Sequence, residues 1–164
     1  MKKILSLLLF ICVSTAAFSQ DILAYKADKE TNKFIYGENT VKIFAGQRIT
    51  ITFSNKKALK LLDQEKSNLT DFSNASTSML KQNSEKNIVV DYNIVKLDDG
   101  KLMTFLIVNN PYKKPLSYKV KMYSQKTNTF VDTDVLDVQS GISGLENWPY
   151  PISSFVLYDF TVKE

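Results

Sequence analysis

Histidine is absent from this 164-residue chain, and cysteine occurs once, as Cys12. Without imidazole there is no Ser-His-Asp or Cys-His catalysis, no histidine metal site, and no side chain whose ordinary pKa lies near neutrality. Hydroxyl–lysine pairs, carboxylates and aromatic rings remain. Ser54-Asn55-Lys56-Lys57 and Ser78-Met79-Leu80-Lys81 both match S-x-x-K. No S-D-N or K-T-G accompanies them, and Lys126-Thr127-Asn128 is a partial echo only, so the serine–lysine acyl-transfer pattern is incomplete. Gly141-Ile142-Ser143-Gly144 places its second glycine one position too early for a nucleophile elbow, and a flexible loop is expected there. Asp132, Asp134 and Asp137 raise the possibility of calcium, a cation that wants several oxygen ligands. On a strand Asp137 falls on the opposite face from the other two, and no glycine supplies a sharp turn; a solvated strand face is expected, with no metal. Glycosidase chemistry needs two carboxylates facing each other across a cleft, and no spacing here nominates a pair.

Aromatic recognition is the remaining chemistry. Trp148-Pro149-Tyr150-Pro151 holds the only tryptophan and two of the four prolines. Each proline pushes the residue before it toward extended backbone, which in a β-like segment would project both rings to one side. Exposed, Trp148 and Tyr150, with help from Tyr112, would form a platform for sugar rings or a partner. Buried, Trp148 would bolt one end of the fold shut, covering on the order of 150–250 Å². The bolt is the favoured reading. Because proline cannot donate to a ladder, the segment must lie at an edge or a crossing.

The elements that position these residues begin after an export sequence. Lys2 and Lys3 precede an apolar run of about ten residues, Ile4–Val13, and Ala17-Phe18-Ser19 offers a cleavage site. Residues 1–19 are therefore predicted to be a signal peptide, with Gln20 as the new N-terminus. The run is too short to span a bilayer, which takes about twenty residues, and no transmembrane segment is expected in the mature chain. Cys12 follows the bulky Phe10-Ile11, so lipidation is not expected. Loss of Lys2 and Lys3 lowers the formal charge from +4 to +2. With Arg48 as the only arginine, no clustered basic surface supports nucleic-acid binding.

Residues 20–39 read as a lead-in, with a short strand at Phe34–Tyr36, and residues 40–164 as one domain. Strict alternation marks strands at 40–45, 49–54 and 88–95. Asp98-Asp99-Gly100 signals a hairpin, and the return strand 102–108 is apolar at nearly every residue, as in a central strand covered on both sides. Further strands are expected at 116–123, 129–138 and 152–162. Residues 55–87 break the pattern. Leu59, Leu62, Leu69 and Leu80 fall on a heptad-like frame, which predicts a short helix over 56–66 followed by a polar excursion. About eight strands, mostly joined by short turns, predict an all-β antiparallel sandwich.

Asn110-Pro111, Lys114-Pro115-Leu116 through Tyr123, Glu146-Asn147-Trp148-Pro149 and Val156-Leu157-Tyr158-Asp159-Phe160 resemble a group of small, uncharacterised secreted proteins of Gram-negative bacteria. The resemblance covers about residues 103–160. It implies a single immunoglobulin-like β-sandwich in the periplasm or outside the cell, and brings no activity or site residues. The expected function is a non-enzymatic binding or envelope-associated module, without cofactor, whose partner is a protein or glycan of the cell envelope. Alternatives are a carbohydrate-binding module using Trp148 and Tyr150, and, last, a small carboxylate-dependent hydrolase. Intact-mass measurement of the exported protein is expected to give a chain beginning at Gln20 that takes up no thiol reagent, even when denatured.

Overall fold

The computed structural model describes residues 37–55, 57–71, 73 and 86–164. The chain divides into Met1–Asn32, which lies outside the described residues, and the compact unit Lys33–Glu164. The expected signal peptide, the strand at 34–36 and most of the polar excursion also fall outside them.

Nine strands run through the described residues: β1 Thr40–Phe44, β2 Gln47–Phe53, β3 Leu59–Lys66, β4 Ile88–Lys96, β5 Leu102–Asn109, β6 Leu116–Ser124, β7 Thr129–Thr133, β8 Ser143–Trp148 and β9 Ser154–Val162. They form two antiparallel sheets, one ordered β1-β9-β6-β7 and the other β3-β2-β4-β5-β8. The all-β expectation holds, and two sheets sharing one core give a sandwich-like arrangement.

Three local expectations are corrected. The helix over 56–66 is replaced by β3, which pairs with β2 along its whole length. Asn55 makes the reversal: its side-chain oxygen accepts from the N–H groups of Lys57 and Ala58, both at 2.8 Å, the Asx-turn that competes with helix. The loop expected at Gly141–Gly144 gives way at Ser143 to β8, an edge strand paired with β5. Gly144 is required there, since a Cβ would stand 2.9 Å from Val138 Cγ2. The strand expected at 129–138 ends at Thr133, and Val138 returns only as an isolated bridge to Leu116. The Asp98-Asp99-Gly100 hairpin forms as expected, with Gly100 at φ +83° and the Leu97 N–H donating to the Lys101 carbonyl at 2.8 Å.

The principal core lies between the sheets. Alternation supplies Val41 and Ile43 from β1, Ile49 and Ile51 from β2, Val90 and Tyr92 from β4, and Leu106 and Val108 from β5, all fully buried. Phe155 and Leu157 of β9, beside β1 in the four-stranded sheet, meet the β2, β4 and β5 residues from the other layer. A smaller apolar cluster of Val95, Phe105 and Ile107, under Leu69, covers the opposite face of the five-stranded sheet. The interior strand β5 is thus buried on both sides, as its nearly unbroken hydrophobicity predicts.

Trp148 ends β8 and points inward, 9% exposed. Its ring lies 4.9 Å from that of Phe155, which in turn meets Tyr92 edge-on at 4.8 Å. The Tyr92 hydroxyl donates to the Ile152 carbonyl. Thr104 Oγ1 accepts from the Ile152 N–H at 2.9 Å and donates to the Tyr150 carbonyl at 2.8 Å. The proline-locked loop is therefore held from within, as a bolt. Trp148→Ala is expected to lower unfolding free energy by roughly 3–5 kcal/mol, read from a urea melt followed by circular dichroism.

Candidate functional site

The three aromatic residues nominated by the sequence do not form one site. Trp148 is buried, whereas Tyr150 is 44% exposed, so the two rings do not project together. Tyr150 Oη faces Met122 Sδ at 3.8 Å. Tyr112 is half-buried against Phe53, with ring centroids 6.0 Å apart. Trp148 pairs with Thr104 at one end of β5, while Tyr112 lies past Asn109 at the other. At about 3.3 Å per residue the separation along the strand is roughly 20 Å.

The other nominated groups are engaged locally. Ser54 Oγ donates to the Ala58 carbonyl at 3.1 Å, while Ser78 and Lys81 lie outside the described residues. Ser143 is buried, with Asn109 Nδ2 3.5 Å from its hydroxyl. Asp137 pairs with Lys163, which with the Ser117 hydroxyl holds its carboxyl below the usual range. Among the described residues, no three His, Cys, Asp or Glu side chains gather as a metal site would require. Asp91 is pushed above the usual carboxylate range by burial, opposed by the Ser67 hydroxyl and the Arg48 guanidinium. It lies beside Arg48, 3.4 Å away, on the covered face of the five-stranded sheet rather than in a cleft.

A surface with more chemistry lies on the outer face of the four-stranded sheet. The inward residues of β1, β9 and β6 (Val41 and Ile43; Phe155 and Leu157; Leu116, Tyr118 and Val120) are buried. Period two sends Lys42 and Phe44, Val156 and Tyr158, and Lys119, Lys121 and Tyr123 to the other side. On β7 Phe130 and Asp132 share that side. Register places Lys42, Val156, Lys121 and Asp132 side by side in one row across all four strands. The neighbouring row runs Thr40, Tyr158.

Charge and aromatic surface interlock on this face. Lys42 Nζ stands over the rings of both Phe44, at 4.8 Å, and Phe130, at 5.6 Å, bridging the two edge strands. Phe130 meets Tyr123 edge-on at 5.4 Å. Lys121 and Lys119 lie over the Tyr158 ring at 5.5 and 5.8 Å. The Tyr158 hydroxyl donates to Asp132 at 2.8 Å, which holds the phenol above its ordinary pKa because the bond exists only while the proton is present. Lys119 pairs with Asp159 at 2.9 Å, and Lys121 approaches Asp132 at 3.9 Å.

At one corner the face opens into a groove of about 380 Å³, where β7 ends at Thr133 and the chain leaves β6. Tyr118, Lys119, Asp132, Thr133, Asp134 and Tyr158 line it. Exposed ion pairs contribute about 0–1 kcal/mol each, and exposed cation–π contacts about 0.5–1 kcal/mol. The fold has little thermodynamic need of this array. The array can offer flat apolar rings, ammonium donors and carboxylate acceptors within one shallow surface.

Sequence reasoning missed this face although its signal was present. Lys42 and Phe44, Lys119, Lys121 and Tyr123, Phe130 and Asp132 each occupy the wet positions of an alternating strand, and aromatic residues there are unusual choices for solvent. The order β1-β9-β6-β7 that gathers them is non-local and cannot be read from spacing.

No family model, curated protein or solved structure matches the chain.

Replacing Asp132 with Asn is expected to return the Tyr158 phenol toward its ordinary pKa of about 10, seen as a downward shift in its alkaline titration by ¹³C NMR. Tyr158→Ala is expected to change unfolding free energy by about 1 kcal/mol or less in the urea melt that detects Trp148→Ala.

Proposed function

We propose that this chain is an exported, non-enzymatic binding module of the cell envelope that makes contact through the outer face of its four-stranded sheet. The observation that carries the reading is the lysine–aromatic array across β1, β9, β6 and β7, which the core does not require. Export is supported by the Lys2-Lys3 and Ile4–Val13 pattern and by Ala17-Phe18-Ser19. The absence of histidine and of any cysteine after Cys12 fits contact rather than nucleophilic chemistry. The immunoglobulin-like assignment, and kinship with the secreted Gram-negative proteins, belong to the same proposal. Two antiparallel sheets, with a chain that passes between them four times, support it.

An export-competent, tagged form carrying a photo-crosslinking residue in place of Lys121 tests the reading. It is expected to fractionate with the periplasm or medium and to give a defined adduct by mass spectrometry. The same residue in place of Lys96, exposed on β4, is expected to give none. Cytoplasmic retention, or equal labelling from both positions, would sink the proposal.

A further inference from the structure

We infer that the outer face of the four-stranded sheet binds a neutral polysaccharide, lying across the strands with one sugar unit in the groove beside Tyr158. The inference rests on the proposed binding face and goes beyond it by naming the chemistry of the ligand.

The balance of charge comes first. Lys42, Lys119 and Lys121 are balanced in number by Asp132, Asp134 and Asp159, with Lys119 paired to Asp159 and Lys121 beside Asp132. A polyanion is drawn by clustered charge of one sign, and its binding is driven by counterion release. This face offers neither. Cores of protein–protein interfaces are depleted of lysine and aspartate, yet here those residues occupy the centre of the surface. A sugar hydroxyl both donates and accepts. It can bond an ammonium and a carboxylate at once, and such charge-assisted bonds are roughly twice as strong as neutral ones.

Shape and apolar content point the same way. Four strands at about 4.8 Å spacing give a flat surface roughly 14 Å wide between the outermost strand axes, suited to an extended chain rather than a compact ligand. Phe44 and Phe130 stand on the two edge strands with the Lys42 ammonium between them, and Tyr158 sits inward from the edge on β9. Pyranose rings present C–H faces that pack on such aromatic planes once the flexible lysine side chains over them swing aside to bond the sugar hydroxyls. In the groove the Tyr158 ring adjoins Asp132, Thr133, Asp134 and Lys119, so one sugar could stack while its hydroxyls bond an ammonium, a threonine hydroxyl and carboxylates. Asp134 is exposed at the groove wall and is held by no ion pair among the described residues.

Affinity electrophoresis of the purified protein in gels containing xylan, galactomannan, laminarin or amylose, with alginate and heparin as polyanionic counterparts, tests the inference. At least one neutral polymer is expected to retard the protein, with retardation persisting in high salt. Tyr158→Ala and Asp134→Asn are each expected to weaken that binding roughly tenfold with little change in melting, and Lys96→Gln is expected to leave binding unchanged. Amide shifts on titration with the binding polymer are expected at Lys42, Lys121 and Tyr158. Binding that favours alginate or heparin and collapses in salt overturns the inference, as does neutral-polymer binding that survives both groove variants. If no polysaccharide binds while crosslinking from position 121 yields a single protein adduct, the glycan inference falls and the binding-face reading stands. Silence in both experiments removes both.

Discussion

The contact that joins the two sheets at the Trp148 end is a run of three rings. Tyr92 belongs to β4 and Trp148 to β8 of one sheet, and Phe155 to β9 of the other, with centroid spacings of 4.8 and 4.9 Å. Aromatic side chains bury more area than any others and gain a further 0.5–1.5 kcal/mol per well-placed pair. Their arrangement also solves a backbone problem. The segment from Trp148 to Ser153 crosses from one sheet to the other, and its two prolines provide no N–H for any ladder. The carbonyls of Tyr150 and Ile152 and the N–H of Ile152 would be costly if buried without partners. Thr104 and Tyr92 satisfy them from the core side. The crossing therefore fixes where β9 begins, and through β9 the four-stranded sheet keeps its register against the other layer.

The two outer faces are treated differently, and that difference decides where a ligand could be received. On the five-stranded sheet Val95, Phe105 and Ile107 are buried with Leu69 packed among them. Beside them runs a row of Glu65, Arg48 and Asp91, in which Arg48 links the edge strand β3 to β4. Asp91 is almost wholly removed from water, and a buried carboxylate persists only with partners of this kind. That face is closed by structure. The outer face of the four-stranded sheet keeps its lysines and carboxylates in water, where holding them in one geometry contributes little to stability. That small contribution is the ground for proposing that this face makes contacts.

The fold was legible in the sequence wherever one residue's neighbours decided its state. Alternation located β1, β2, β4, β6 and β9, and Gly100 located the tightest hairpin, because strand faces and positive φ are local properties. The failures were places where a distant partner decided. Leu59, Leu62 and Leu69 suggested a helical stripe, but β2 had a free edge to satisfy, and Leu59 and Leu61 serve it with period two. Leu62 then becomes the extra residue of the irregularity opposite Thr50 and Ile51, 45% exposed, which bends an edge strand away from unwanted pairing. Ser143–Trp148 looked like loop because Gly144 weakens any strand signal. Its role emerges only once Val138 is packed on it. Tyr112 and Tyr150 could be nominated by type, but their positions at opposite ends of β5 depend on pairing that no spacing reveals.

One irregularity ties the core to the open face. Along β9 the alternation Phe155 in, Val156 out, Leu157 in, Tyr158 out should send Asp159 inward. Instead Asp159 takes φ +55°, a left-handed conformation that aspartate tolerates better than most residues. The ladder with β6 slips by one between Ser117 and Lys119. The slip is a bulge, which re-aims side chains at the expense of local pairing. Asp159 is turned out to water beside Tyr158, where it meets Lys119, and Phe160 enters the core to stack on Tyr118 at 5.6 Å. The Asn39 amide replaces the lost pairing, donating to the Phe160 carbonyl and accepting from its N–H, both at 2.9 Å. A strained residue of this kind costs on the order of 1–3 kcal/mol. Regular pairing would have buried a carboxylate and exposed a phenylalanine, so the bulge corrects the core and furnishes the face in one step. The same single-residue shift places an acid, a phenol and an ammonium next to each other at the mouth of the groove.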